Sequence, residues 1–288
     1  MKTILVPTDF SEAANHALDH AVVLAKQLHA RLLLANAILV PIPVVTPAGI
    51  DIPFEGTGEI LDSTLGQLQA IKKCIEKAES SDILKPPLQV SVAAGFGPPF
   101  AYIAKLAGQQ AAGLVVAGRS GAGAMHRFFL GSTSRDLINV SAFPVLLIPL
   151  QAPLRPVCNI VFVSDLSATD IDAIRILVPL VRTMGAKIRI AHICGEHDTA
   201  LSSKIETFMA RAKDECTDVE LHYQSVYNRA EEEGFEWLLE HMEVDWFVMV
   251  HRHHGFLNTI FKEGYCQKMA KQSTVPVLII PEHFHPKN

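Results

Sequence analysis

The sequence predicts an α/β fold of two tandem Rossmann-like domains, and three observations support it. Short apolar segments alternate with amphipathic helical segments along the whole chain, as expected for parallel strands joined by helices. The pattern also occurs twice at one fixed offset: "TILVPTDFS" (3–11) matches "NIVFVSDLS" (159–167), and "RLLLANAI" (31–38) matches "KIRIAHIC" (187–194). Finally, both copies end on similar apolar strands, "FPVLLIP" (143–149) and "VPVLIIP" (275–281).

The length and composition fit two domains. The chain has 288 residues, of which 49% are hydrophobic, enough for two cores of the usual size of about 150 residues each. The segment "LQAPLRP" (150–156) contains two prolines, which predict a linker. We therefore predict a first copy over residues 1–150 and a second copy over residues 157–288.

The elements of the first copy follow from its periodicity. Apolar runs predict strands near 3–7, 31–37, 88–94, 113–117 and 145–148, and helical spacing predicts helices near 11–29, 57–79, 98–110 and 131–141. Ser11 is a fitting N-cap for the first of these helices. The alternation predicts right-handed crossovers, so each copy should form a five-stranded parallel sheet with helices on both faces.

One segment interrupts this pattern. Residues 39–58 contain four prolines, too many for a helix, and the second copy has only "GEHDTA" at the equivalent place. We expect an ordered loop. It would cover the site of the first copy, pack on a partner, or be an insertion with no role.

Composition and charge exclude several classes. The net charge of −5 disfavours a general nucleic-acid-binding coat, which needs a basic face. No apolar run reaches the roughly 18 residues that span a bilayer, and the short apolar start "MKTILVPTDF" reads as a strand. Five dispersed cysteines favour a reducing compartment. We expect a cytoplasmic protein that binds neither nucleic acid nor membrane.

A glycine-rich stretch, "GRSGAGAMHRFFLGSTS" (118–134), follows the fourth predicted strand of the first copy. Ligands of parallel α/β sheets bind at the carboxyl ends of the strands. Gly118 and Gly121 allow close approach of backbone amides. Gly131 opens a predicted helix, whose first N–H groups and hydroxyls suit phosphate. The spacing G-x2-G-x9-G-S is neither a P-loop nor the dinucleotide fingerprint, and its position favours phosphate binding over a simple turn.

Strand–"PTDFSE"–helix, G-x2-G-x9-G-S and the final "PVLLIP" strand together resemble the universal stress protein family. The resemblance covers essentially the whole chain, twice, and the glycine spacing is similar to that of the ATP-binding branch. It implies the adenine nucleotide alpha hydrolase-like fold, with ATP, and Mg²⁺ as an accompanying ion, in the first copy. The implied binding residues are Pro7, Thr8, Asp9, Ala37, Ala117, Gly118, Gly121, Gly131, Ser132, Thr133 and Ser134.

The resemblance also implies a role for each of these residues. The nucleoside would contact the end of strand one, where Asp9 accepts hydrogen bonds from adenine or ribose, and Ala37 would line the adenine pocket. Ala117 and Gly118 would lie under the ribose, and the remaining glycines and hydroxyls would hold the phosphates. Three nearby cations either steady the phosphates or are solvated loop charges: Arg119, His126 and Arg127.

The second copy departs from this motif. Aligned without gaps, "VHRHHGFLNTIFKEGYCQK" (250–268) places Val250, His253 and Glu263 where the three glycines stand. The second copy is therefore predicted to be a scaffold without a nucleotide. Two alternatives concern its histidines His251, His253, His254 and His192: with Asp165 they would hold Zn²⁺, or they are exposed loop residues.

The expected function is a regulatory, non-enzymatic ATP-binding stress protein. No catalytic or metal residue is predicted, because Asp9 is the only acid placed near the phosphates and the nucleoside engages it. The alternatives are a slow ATPase or nucleotidyl transferase, and a metal- or small-ligand-binding module through the second copy. The two copies should form an intrachain pseudo-dimer within a homodimer. The strands "VLLIP" and "VLIIP" are expected to pair edge to edge, within or between chains.

Overall fold

A computed structural model describes residues 3–39, 44–46, 49–51, 57–79, 87–119, 143–194, 199–227, 231–252, 274–282 and 284. The chain forms two compact units, Met1–Ala117 and Gly118–Asn288. Both have the α/β architecture that the sequence predicts. None of the described helices is long and apolar enough to cross a bilayer.

The first unit contains four parallel strands in the order β6-β1-β2-β5. These are β1 (Thr3–Pro7), β2 (Arg31–Ile38), β5 (Val90–Phe96) and β6 (Leu114–Arg119, whose last two residues pass into the second unit). Its helices are α1 (Glu12–Gln27), α2 (Thr57–Glu79) and α3 (Pro99–Gln109). Every residue of β1 is buried, as expected for a strand with both faces of its sheet covered.

Part of the predicted loop at 39–58 is regular structure. Two short strands, β3 (Val44–Thr46) and β4 (Gly49–Asp51), pair antiparallel, and α2 begins at Thr57. The β-branched run Val44–Thr46 favours an extended backbone, and this preference prevails although prolines stand on both sides of the run. The other residues of the segment, apart from Leu39, lie outside the described residues.

The second unit confirms the predicted five-stranded parallel sheet of the second copy. Its order is β10-β9-β8-β11-β12. The strands are β8 (Asn159–Val163), β9 (Lys187–Cys194), β10 (Leu221–Tyr227), β11 (Trp246–His251) and β12 (Val277–Pro281). The helices are α4 (Ala168–Met184), α5 (Thr199–Glu215) and α6 (Glu231–His241).

Strand β7 (Val145–Pro149) carries the "VLLIP" sequence and belongs to the second unit. It pairs antiparallel with β12, with Leu147 opposite Val277. The expected pairing of the two terminal strands is thus present within one chain. The boundary between residues 150 and 157 remains a prediction, and the predicted helix near 131–141 lies outside the described residues.

Candidate functional site

The carboxyl edge of the first sheet brings the predicted nucleoside residues together. The β1–β2 register places Pro7 opposite Ala35, and Ala37 lies two residues further along β2. Strand β6 runs beside β1 with Leu5 opposite Val115, so Ala117 reaches the same edge. These residues therefore lie at one end of one sheet, where parallel α/β folds bind ligands, and their role in binding stays a prediction.

The turn after β1 is fixed by its own polar side chains. Thr8 Oγ1 accepts the N–H of Phe10 at 3.0 Å, and Asp9 Oδ1 accepts the N–H of Ser11 at 3.1 Å. Phe10 has a φ of 64°, in the left-handed region. Ser11 then caps α1 by accepting the N–H of Ala14 at 3.2 Å. This turn places the half-exposed Asp9 at the carboxyl edge of the sheet, which we call the mouth.

Asn36 is a site residue that sequence reasoning missed. Its Nδ2 donates to the Thr8 carbonyl at 2.8 Å and ties the end of β2 to the turn after β1. The repeat contained the signal, because the fixed offset pairs Asn36 with His192. His192 Nδ1 lies 2.7 Å from the Ser164 carbonyl, the equivalent contact in the second copy. A polar residue at this position therefore holds the mouth in both copies.

The predicted phosphate cradle lies almost wholly outside the described residues. That holds for Gly121, Gly131, Ser132, Thr133 and Ser134, and for the cations His126 and Arg127. Gly118 is described and differs from the prediction, because β6 continues through it to Arg119. Gly118 is a buried strand residue and does not open a loop. The strand continues two residues past the predicted end at Ala117.

In the second copy, Arg252 occupies the corresponding mouth. Its side chain, only 15% exposed, donates to Asp165 Oδ2 at 2.6 Å and to Ser167 Oγ at 2.7 Å. It also contacts Thr169 Oγ1 at 3.1 Å and forms an ion pair with Asp170. Lys204 adds a hydrogen bond to the Asp165 carbonyl at 3.0 Å. The carboxylate that corresponds to Asp9 is thus already bound by a guanidinium.

Asp170 holds the Arg252 side chain and the turn after β8 in place. It is fully buried, and its Oδ2 accepts from Ser164 Oγ at 2.8 Å and from the N–H groups of Asp165 and Ser167 at 3.1 Å. With Ser167 it forms a capping box at the start of α4. The fixed offset places Ala14 at this position in the first copy. A buried acid that holds an arginine is therefore specific to the second copy.

The zinc alternative finds no ligand set among the described residues, which contain no group of three or more potential metal-binding side chains. Asp165 is paired with Arg252, and His192 contacts a carbonyl. His251 is buried at the end of β11, and His253 and His254 lie outside the described residues.

Cys194 and Tyr223 lie near the carboxyl edge of the second sheet. Burial raises the pKa of the Cys194 thiol and, as the largest of several effects, the pKa of the Tyr223 phenol. Both groups therefore remain protonated near neutral pH. A protonated thiol is a poor nucleophile, so this pair does not form an activated catalytic group.

Comparison with known proteins agrees with the fold. The family model of the universal stress protein family matches residues 1–149. A universal stress protein of Methanocaldococcus jannaschii is 29% identical over 150 residues, which cover 51% of this chain and 81% of the relative. The structure of a universal stress protein from Archaeoglobus fulgidus superposes with a TM-score of 0.71 at 16% identity, covering 97% of this chain and 98% of that one. A putative universal stress protein from Pseudomonas aeruginosa superposes with a TM-score of 0.54 at 12% identity, over 98% and 93% of the two chains. The two structures support the fold alone, and the family model, which covers more than half of the chain, shows that this protein belongs to the universal stress protein family.

Proposed function

We propose that this chain is a regulatory stress-response protein that binds one ATP at the carboxyl edge of its first copy and does not turn it over. The observation that carries the proposal is the contrast between two equivalent carboxylates. Among the described residues, the Asp9 carboxylate accepts only the N–H of Ser11. The Asp165 carboxylate is bound by the Arg252 guanidinium. The first mouth therefore offers a carboxylate acceptor to a nucleoside, and the second does not.

The rest of the binding site follows the strand ends. Pro7, Thr8 and Ala37 would contact the nucleoside, and Ala117 with Gly118 would lie beneath the ribose. Gly121, Gly131 and the hydroxyls Ser132, Thr133 and Ser134 would hold the phosphates, with Mg²⁺ as the accompanying ion. Short side chains at these strand ends suit this role, because a ligand can then approach the backbone closely.

The second copy acts in this proposal as a scaffold that completes an intrachain pseudo-dimer. The antiparallel pairing of β7 with β12 supports it, because that pairing joins the terminal strands of the two sequence repeats. We further propose that the whole chain forms a homodimer. Size-exclusion chromatography with light scattering should give twice the 31.5 kDa mass of one chain, and a single-chain mass would contradict this part.

The proposed compartment is the cytoplasm. The four described cysteines, Cys74, Cys158, Cys194 and Cys216, are all free thiols. Free thiols are typical of proteins kept in a reducing environment. Fractionation of cells that express the chain, with thiol-labelling of each fraction, would test this placement.

Calorimetric titration of ATP tests the nucleotide site. The wild type should bind one molar equivalent, and Gly121→Val with Gly131→Val should bind none. Asp9→Asn should weaken binding about 10- to 100-fold, because a hydrogen bond to a charged group contributes roughly 1.5–3 kcal/mol. Asp165→Asn is the matched control in the second copy and should leave ATP affinity unchanged.

Three results would contradict the proposal. Two bound equivalents would show that the second copy also holds a nucleotide. Equal losses of affinity in Asp9→Asn and Asp165→Asn would remove the distinction between the copies. The third result is a wild type that releases phosphate steadily from Mg²⁺-ATP while the double glycine variant does not. That result would favour the slow ATPase alternative over a non-enzymatic protein.

A further inference from the structure

A second candidate site lies at the opposite, amino end of the second copy's sheet. Val161, Arg189 and His222 stand side by side on β8, β9 and β10. The fixed offset pairs Arg189 with Leu33 of the first copy. Leu33 is a core residue, 5% exposed, whereas Arg189 is half-buried. The second copy therefore has a guanidinium at a position where the first copy has a core leucine.

The exchange coincides with a cavity of about 260 Å³ in the second unit. It is lined by the first residues of β8 and β9, by His241 at the carboxyl end of α6 and by Met242, which follows it. Besides these two residues, its lining consists of Asn159, Ile160, Val161, Lys187, Arg189, His222 and Glu243. The space is too small for a nucleotide-sized molecule and large enough for a small anion.

Of the charges that the structure describes around the cavity, one cation has no counter-ion. Lys187 pairs with Glu220 at 3.0 Å, and His222 Nε2 lies 2.6 Å from the same carboxylate. Among the described residues that line the cavity, Glu243 is the one acid, and it is exposed. Within the described part of the chain, Arg189 forms no hydrogen bond or ion pair. A half-buried guanidinium without an anion costs free energy that the first copy's leucine does not.

Two imidazoles stand at the same cavity in fixed positions. His241 Nδ1 lies 3.0 Å from the Trp237 carbonyl, and its ring stacks on the Trp237 indole with centroids 4.7 Å apart. His222 is held by the Glu220 contact. Arg189 supplies a planar fork that matches the oxygens of phosphate or carboxylate, and both imidazole rings line the cavity beside it.

We propose that this cavity binds a small anion bearing phosphate or carboxylate groups, with Arg189 as its principal ligand. The site lies at the amino ends of the strands, whereas the proposed ATP site lies at the carboxyl ends of the other sheet. The inference is therefore independent of the proposed function. The carboxyl end of α6 also favours a cation there.

Titration of pyrophosphate into the full-length Gly121→Val/Gly131→Val protein tests the proposal, since that background lacks the predicted phosphate cradle of the first copy. We expect saturable binding of one equivalent. Adding Arg189→Leu, which restores the first copy's residue, should weaken binding at least 10-fold. Arg211→Leu makes the same chemical change on the exposed face of α5 and should leave binding unchanged.

The same variants show whether the loss reflects unfolding. Urea denaturation should give Arg189→Leu a midpoint equal to or above that of its parent, because leucine suits this sheet position. A titration with citrate in place of pyrophosphate separates carboxylate from phosphate recognition, and binding of either anion that depends on Arg189 supports the site. No binding of either anion to the parent protein, or equal binding with Arg189→Leu, would overturn the proposal.

Discussion

Replacing Arg252 by alanine should strongly destabilise the second copy. The substitution leaves the fully buried Asp170 without its cation. Breaking a buried ion pair from one side costs about 3–5 kcal/mol. Asp170 keeps three other donors, the Ser164 hydroxyl and the N–H groups of Asp165 and Ser167, which places the expected loss at the low end, about 3 kcal/mol.

A double-mutant cycle separates the ion pair from general damage. Asp170→Ala introduces the first copy's residue and removes the capping box. The double variant Asp170→Ala/Arg252→Ala should cost less than the two single variants added together, by roughly 2 kcal/mol, because it strands no charge. Urea unfolding followed by tryptophan fluorescence is the assay. Both tryptophans, Trp237 and Trp246, belong to the second copy and report on it directly.

The matched control is Arg182→Ala. Arg182 pairs with Asp218 at 3.2 Å, with side chains 51% and 70% exposed. Such a surface pair contributes at most about 1 kcal/mol. A loss below about 1 kcal/mol in Arg252→Ala, or a loss equal to that of Arg182→Ala, would refute the reasoning. So would strictly additive single variants, because the two side chains would then not interact.

Three further predictions concern other parts of the fold. Gly95→Ala should lower the free energy of unfolding by about 1–3 kcal/mol, since its Cβ would overlap the Tyr102 ring; Gly66→Ala, in open space within α2, should raise that free energy by up to about 1 kcal/mol in the same urea assay. Asn36→Ala should cost about 1 kcal/mol for the lost hydrogen bond to the turn after β1, and Asn36→His, which introduces the second copy's residue, should recover most of the loss. Burial and a neighbouring carboxylate raise the pKa of Cys216 from about 9 to about 11. Because the fold favours the neutral thiol, the stabilisation from this group is present below pH 9 and is lost as the pH rises towards 11. The urea midpoints of wild type and Cys216→Ala should therefore converge over that pH interval. A constant difference between the two midpoints would contradict the prediction.

The amino-acid pattern predicted most of the architecture. Apolar runs with no polar alternation identified the buried parallel strands, and the repeat identified the pairing of equivalent residues. Boundaries shifted by up to two residues at β5 and β6. Strand β5 ends together with its neighbour β2, because Phe96 pairs with Ile38, and not where hydrophobicity falls. The β3–β4 pair was missed because it is short and lies among prolines.

The sequence by itself determined the fold class, the duplication and the loss of the glycine spacing in the second copy, since each depends on residue types at fixed separations along the chain. Only the tertiary structure decided what occupies the second mouth. Arg252 lies far from Asp165 and Asp170 in sequence and reaches them because β11 runs beside β8. The same holds for Arg189 and for Asn36, whose partners or neighbours belong to other strands. Strand pairing brings these side chains together, and the linear pattern does not encode their distances.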